Sequence, residues 1–233
     1  MRTDREQSGA ASGSRGGGAA ALVHVNPRLA LIESTRLPLD LGDLATRVGA
    51  RLLAWSGSDA SDDALAEVLT GQVNPTGRLP LALETADRTA SLPFGHGLGY
   101  ARVAYSEMDV ELGADRVIAQ ITLRNLGEDD CVETVLLYLR GPSPRIAANS
   151  ELRCFQRVEL AAGETQRVQF ELGLEELGEI GPDGRVALEP GSYEILLGRD
   201  AAHLSGREVD LQASMIRTIA GFSRGARLRA IGF

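Results

Sequence analysis

Cysteine is scarce in this sequence, at two residues in 233. That is too few for a disulfide-built scaffold or a four-cysteine zinc site. Aromatic residues make up only 4%, little material for a carbohydrate-binding surface of stacked rings, although a single aromatic platform stays open. No run of apolar residues reaches the roughly 18 that a membrane-spanning helix needs, so no membrane partner is expected. Positive charge is in deficit: 24 Lys plus Arg against 32 Asp plus Glu leave a formal charge of −8. Such a balance does not displace counterions from a phosphate backbone, and no nucleic-acid partner is expected. The opening Met1-Arg2-Thr3-Asp4-Arg5 leads into polar, glycine-rich sequence up to Gly18. An apolar stretch before a cleavage site is not seen there, which predicts a cytoplasmic location.

What is present falls into two patterns. Residues 1–21 have no periodicity and read as a disordered leader. From 22 to 83 short apolar runs alternate with helical stripes. Leu22–Val25, Leu29–Ile32 and Arg51–Trp55 are expected as strands, and Leu39–Val48 and Ser61–Leu69 as helices. Asn74-Pro75-Thr76-Gly77 signals a turn, with Arg78–Leu83 as the strand leaving it. The sum is an α/β pattern with two full helices, too few to cover both faces of a parallel sheet, so an incomplete α/β sandwich domain is expected. Apolar faces and strand edges should then be exposed, making residues 103 onward the stable unit.

Residues 84–102, with Pro93, Gly95, Gly97 and Gly99, read as a linker or an extended ordered loop. From 103 to 211 the period changes to two. Val117, Ala119, Ile121 and Leu123 alternate with polar neighbours, as do Val168, Phe170 and Leu172. Val135–Leu139 is apolar on both sides and suits a central or doubly covered strand. Several short strands separated by turns predict an antiparallel β-sandwich. Residues 212–233 form a basic tail with Arg217, Arg224, Arg227 and Arg229, expected as a loosely held segment or strand remnant.

Several of these stretches resemble one family. Ala66-Glu67-Val68-Leu69-Thr70-Gly71-Gln72-Val73-Asn74-Pro75-Thr76-Gly77-Arg78-Leu79-Pro80 is similar to the helix and Asn-Pro-Ser-Gly-Arg-Leu-Pro turn of family 3 glycoside hydrolases, the β-glucosidase and β-xylosidase group. Pro93-Phe94-Gly95-His96-Gly97-Leu98-Gly99-Tyr100 resembles that family's Pro-Phe-Gly-His-Gly-Leu-Ser-Tyr segment, with Gly99 in the serine position. Glu133–Leu139, Glu151–Val158 and Glu189–Tyr193 resemble its C-terminal fibronectin III-like (immunoglobulin-like) domain, with Cys154 where a glycine is usual. The resemblance covers roughly residues 29–200. It implies a parent activity of hydrolysing terminal β-linked glucosyl or xylosyl residues by a retaining mechanism. It also implies that the catalytic aspartate sits on a barrel and the acid/base glutamate upstream of Ile32. This chain is therefore expected to be inactive alone. The readings left open are a structural or interaction module that completes a separately encoded barrel-bearing chain, a homo-oligomer, and a truncated product.

No residue in the sequence carries a convincing catalytic role. Asp59, Asp62, Asp63 and Glu67 form the densest acidic cluster, which suits solvation of a helix start better than an acid–nucleophile pair. No GxGxxG and no GKS or GKT triplet occurs, and no cofactor is expected. His24 and His203 lack partners at metal-ligand spacing, so no metal is expected. Cys131 and Cys154 read as buried thiols. Trp55 reads as core. The expected structural residues are Trp55, Asn74, Pro75, Gly77, Arg78, Pro93, Phe94, Gly95, His96, Gly97 and Tyr100. Among them Arg78 would pin the 74–80 turn to an acid, and His96 would hold the junction.

Overall fold

The computed structural model describes residues 22–26, 28–35, 44–55, 60–84, 91–113, 115–142, 150–181 and 184–223. The chain divides into two compact units, one of Met1–Val73 with Leu81–Leu92 and one of Asn74–Pro80 with Pro93–Phe233. This partition differs from the expected one. Residues 74–80, read as α/β, and 93–102, read as linker, both fold with the second unit, where their backbone groups bond to each other and to Leu126 and Ala201 in its turns.

In the first unit, β1 (Ala30–Thr35) runs parallel to β2 (Ala50–Trp55), with α1 (Leu44–Arg47) between them and α2 (Ala60–Leu69) following. Glu33 is buried at 3% exposure, and the Arg51 guanidinium from the neighbouring strand meets both of its carboxylate oxygens. This forked geometry is the strong form of an ion pair. Asp62 and Asp63 occupy the first turn of α2, where the free amides favour negative charge. After α2 the Thr70 hydroxyl donates back to the Ala66 carbonyl at 2.8 Å. The two-residue strands β3 (Leu83–Glu84) and β4 (Ser91–Leu92) pair antiparallel.

Three local expectations are corrected here. Residues 22–25 form one helical turn and not a strand, closed by the Asn26 amide on the Leu22 carbonyl at 2.8 Å; four apolar residues carry no period that separates the two. Arg78–Leu83 is not a strand, and only Leu83 enters a ladder. Leu79 exchanges its bonds with residues 95 and 96, and Pro80 has no amide to offer. Trp55 is not core: it is 45% exposed, at the last rung of a two-stranded sheet. Of the expected helix Leu39–Val48, residues 39–43 lie outside the described residues, and α1 covers Leu44–Arg47.

The second unit is a sandwich of three strands on four. One sheet has the order β5 (Val103–Leu112), β6 (Val117–Asn125), β9 (Thr165–Leu172). The other runs β13 (His203–Leu211), β12 (Gly191–Asp200), β7 (Cys131–Arg140), β8 (Glu151–Leu160). All neighbouring strands are antiparallel. The alternation in β6 is strict: Val117, Ala119, Ile121 and Leu123 are each at most 1% exposed. They meet Val135, Leu137 and Leu139 of β7 and Tyr193, Ile195 and Leu197 of β12 in one core. The edge strand β5 carries an irregularity between Ser106 and Asp109, with Glu107 at φ 52°, a bulge that interrupts an otherwise free edge. Two short elements, α3 (Leu174–Leu177) and the pair β10 (Glu179–Ile180) and β11 (Val186–Ala187), lie on the 172–191 crossing between β9 and β12.

The C-terminal segment was expected as a loose tail or strand remnant, and it is a helix over part of its length. In α4 (Ala213–Ser223), Ile219 is 3% exposed and Ile216 packs on the same sandwich core, one turn apart on one face. Arg217 is exposed, and Arg224, Arg227 and Arg229 lie outside the described residues. No helix among the described residues is long and apolar enough to cross a membrane.

Asn125 is the one fully buried carboxamide that ties this sandwich together among the described residues. Its Nδ2 donates to the carbonyls of Asp129, Ala161 and Leu160 at 2.8, 3.1 and 3.3 Å, and its Oδ1 accepts from the Gly127 amide at 2.9 Å. It thereby joins the β6–β7 turn to the end of β8. Removing a buried group with this many partners costs about 1–3 kcal/mol. Asn125→Ala is expected to lower the urea-unfolding free energy of the sandwich by about 2–3 kcal/mol at an unchanged denaturant slope.

Candidate functional site

The outer face of the four-stranded sheet is apolar where a sandwich face normally meets water. Leu136 and Tyr138 on β7 and Leu196 on β12 are 4–6% exposed, although their odd-numbered neighbours already fill the core. They are covered by Phe94 and by Leu204 of β13. Pro93–Gly97 therefore acts as a strap laid across the sheet. Three backbone bonds hold it: the Gly95 amide to the Leu79 carbonyl at 2.8 Å, the Leu79 amide to the His96 carbonyl at 2.8 Å, and the Ala201 amide to the Phe94 carbonyl at 3.0 Å. The strap approaches so closely that side chains are excluded at two points. Gly95 has φ +82°, and a Cβ there would stand 2.5 Å from Leu136 Cδ1 and 3.2 Å from Asp200 Cα. A Cβ on Gly97 would strike the Gly77 carbonyl.

A buried charge pair fastens the strap from beneath. The Arg78 guanidinium donates to the Gly97 carbonyl and to the Glu133 carboxylate, whose Oε1 also accepts the Thr134 amide at 3.0 Å. Both side chains are largely buried, at 17% and 11% exposure. Tyr105 joins them from β5. Its hydroxyl lies 3.4 Å from the Thr134 carbonyl and bonds to Glu133, and burial first, then the Glu133 charge, push the phenol far above its ordinary range. Around the edge, Asn74 Oδ1 accepts the Tyr100 amide at 2.8 Å, and Arg157 of β8 reaches Thr76 Oγ1 at 3.3 Å.

At the strap's other end lies the β12–β13 turn. Asp200 is 3% exposed, and its Oδ1 accepts from the amides of Ala202 and His203, both at 2.9 Å, and faces His203 Nδ1 at 2.8 Å. Burial would raise its pKa, but the His203 ring and the two amides outweigh that and hold it below the ordinary 3.8. Beside this turn a groove of about 460 Å³ opens, lined by residues that include Val103, Tyr105, Arg199, His203, Leu204 and Ser205. Among the described residues its lining contains no Asp or Glu. Hydrolysis of a glycoside by paired carboxyl groups needs two of them roughly 5–9.5 Å apart across the sugar. Glu133 is committed to Arg78, and Asp200 to its own turn.

Most residues expected to be structural thus meet in one place: Asn74, Pro75, Gly77 and Arg78 against Pro93, Phe94, Gly95, His96, Gly97 and Tyr100. Pro75 presents its carbonyl 3.2 Å from where a Cβ on Gly99 would stand. Trp55 belongs to the other unit. Of the acidic cluster, Asp62, Asp63 and Glu67 are exposed on α2, and Asp59 lies outside the described residues. His24 accepts from Arg47 at 3.0 Å. Cys131 and Cys154 are free thiols, and burial first, then Glu176, pushes Cys154 up to about 12. They pair with Leu160 and Leu137 on facing strands, six positions apart. That separation is about 20 Å, beyond any disulfide. Glu133, Tyr105, Arg157 and Asp200 were not singled out from sequence. For Glu133 a signal existed, since a carboxylate inside the apolar run 131–139 needs a buried partner.

The sequence profile described as "Glycosyl hydrolase family 3 C-terminal domain" matches residues 12–103, and the "Fibronectin type III-like domain" profile matches 133–201. The chain carries a family 3 glycoside hydrolase C-terminal domain followed by a fibronectin type III-like domain. A β-xylosidase from Formosa agariphila is 28% identical over 69% of this chain and 26% of its own length. A β-glucosidase from Rhizobium radiobacter is 25% identical over 84% of this chain and 28% of its own. Among solved structures, a β-glucosidase from Erythrobacter marinus superposes with a TM-score of 0.73 at 31% identity, over 83% of this chain and 29% of that one. The chain spans just over a quarter of the length of these family 3 relatives.

Two consequences can be measured. Arg78→Met strands the Glu133 carboxylate in the sheet, and breaking a buried pair this way costs about 3–5 kcal/mol; urea unfolding should read a loss of that order, partly recovered by adding Glu133→Gln. Asp200 has a depressed folded pKa, so its contribution is present above pH 3.8 and lost as pH falls through the lower folded value. Unfolding curves between pH 7 and pH 2.5 should therefore show an acid limb that Asp200→Asn flattens, at a cost of about 1 kcal/mol near neutrality.

Proposed function

We propose that this chain is the non-catalytic C-terminal part of a machine that hydrolyses terminal β-linked glucosyl or xylosyl groups. In this reading it supplies an α/β segment and a fibronectin III-like sandwich to a barrel-bearing catalytic region. The observation that carries it is the fate of the buried carboxylates. Glu33, Glu133 and Asp200 are each engaged by a cation or by turn amides, and among the described residues the groove beside Asp200 is lined by no acid. A retaining mechanism needs one carboxylate free to attack and a second free to pass a proton. Neither role is left to these groups.

The reading gains support from the relatives, of whose length this chain accounts for 26% and 28%. It also follows the build of the first unit. A parallel pair of strands is ordinarily buried on both faces. Among the described residues β1 and β2 have only each other, and Ile32 and Trp55 stand 38% and 45% exposed. Such a pair gains from a covering partner. A carbohydrate then belongs to the assembled enzyme rather than to this chain.

The purified chain should give no turnover of nitrophenyl β-glucoside or nitrophenyl β-xyloside at any concentration where binding is saturated. Mixed with a catalytic region of a family 3 β-glucosidase produced without its C-terminal part, it should co-purify and raise turnover. Turnover by the chain alone, abolished by a single substitution among its own carboxylates, would overturn the proposal.

A further inference from the structure

The groove between the start of β5 and the β12–β13 turn holds a cation that the clamp does not use. β13 pairs Leu204 with Gly198 and His203 with Asp200, so Arg199 is the extra residue of a bulge and has no partner across the ladder. Bulges re-aim the side chains they carry. Arg199 lines the groove with its side chain 46% exposed. Its one ion-pair partner among the described residues is Asp200, and Nε stands 3.7 Å from Oδ2, too far for a hydrogen bond. Asp200 is meanwhile occupied by the amides of Ala202 and His203 and by the His203 ring. The guanidinium fork therefore keeps open donors. Ser205, two positions from His203 along β13, adds an exposed hydroxyl to the same groove. The other walls are carbon: Val103, Leu204, and the ring of Tyr105, whose hydroxyl is given to the Thr134 carbonyl and Glu133.

We propose that this groove is a binding site for a small carboxylate with an apolar body. The carboxylate is taken by the Arg199 fork and the Ser205 hydroxyl, and the body lies on Val103, Leu204 and the Tyr105 ring. A planar guanidinium meets a planar carboxylate through two parallel bonds. One permanent cation suits a single negative charge, which favours a carboxylate over a phosphate dianion. The volume of about 460 Å³ falls within the roughly 300–1,000 Å³ of small-molecule sites and is more than a bare inorganic ion fills. Carbon walls call for a carbon skeleton, because the hydroxyls of a sugar acid would face them without hydrogen-bond partners. The His203 ring is tied to Asp200 at 2.8 Å, so that side of the groove is set before a ligand arrives. Every lining residue belongs to the second unit. The inference therefore stands whether or not the proposed partnership holds.

The test is a titration of the full chain with benzoate at neutral pH and constant ionic strength, read as amide chemical shifts. Saturable shifts are expected at Val103, Arg199 and residues 202–205, with a Kd of roughly millimolar order for so small a ligand, while the amides of β6 stay in place. Benzamide has the same shape without the charge and should bind about tenfold or more weakly. Glucuronate, which lacks the apolar body, and inorganic phosphate should also bind more weakly than benzoate. Arg199→Gln should weaken benzoate about tenfold or more, the loss of a charge-assisted contact. Arg207→Gln removes an exposed cation of the same strand outside the groove and should leave the affinity unchanged. The ligand series on the wild-type chain decides the matter even if a variant does not fold. Shifts that never saturate, benzamide, glucuronate or phosphate binding as tightly as benzoate, an affinity unaltered in Arg199→Gln, or one lowered equally in Arg207→Gln would each overturn the proposal.

Discussion

A carboxylate within a central, doubly covered strand has to be met by a cation, and in this protein that constraint organises the second unit. Glu133 sits near the start of β7 at 8% exposure. Left alone it would be protonated or expelled. Arg78 answers it from 55 residues upstream, and the same guanidinium takes the Gly97 carbonyl. One side chain therefore joins the 74–80 turn, the strap and the sheet. Once Arg78 is placed, Leu79 is positioned to exchange bonds with residues 95 and 96, and Phe94 falls over Leu136 and Tyr138. Chain on either side of an excursion into the first unit is thus held by the sandwich.

The arrangement is costly in polar burial and inexpensive in shape. A buried ion pair is weak evidence of net stability by itself, since desolvation offsets much of the attraction. What it supplies is register: a guanidinium fork accepts few geometries, so the strap docks in one place. Asn125 does similar work at the β6–β7 turn with four neutral bonds. The apolar groups contribute bulk stability, and the polar groups select which apolar surfaces meet.

In the region similar to the family 3 C-terminal domain, structure separates from chemistry. The segments 74–80 and 93–100, which resemble family 3, are the ones that build the clamp. Gly99 stands where relatives carry a serine, and a Cβ there would lie 2.8 Å from Asn74 Oδ1. A side chain at this position needs the Asn74 carboxamide to shift, so glycine and the Asn74–Tyr100 bond go together.

Periodicity alone determined the sandwich, because a two-residue repeat has one physical reading when one face of each strand is dry: β6 and β9 are legible residue by residue. The alternation of short runs and helical stripes likewise determined that β1, β2 and α2 exist. Composition excluded a disulfide scaffold, and the apolar run in β7 pointed to a central or doubly covered strand. Tertiary structure decided that it is both, and that Phe94 and Leu204 supply the cover. Phe94 meets Leu136 across 42 positions of chain, and nothing local distinguishes a docked strap from a linker when both are written in proline, glycine and a few polar residues. The same holds for the helix of Ile216 and Ile219 and for the partners of Glu133 and Asp200. Their identities rest on distances between residues far apart in sequence, and neither propensity nor spacing along the chain encodes those distances.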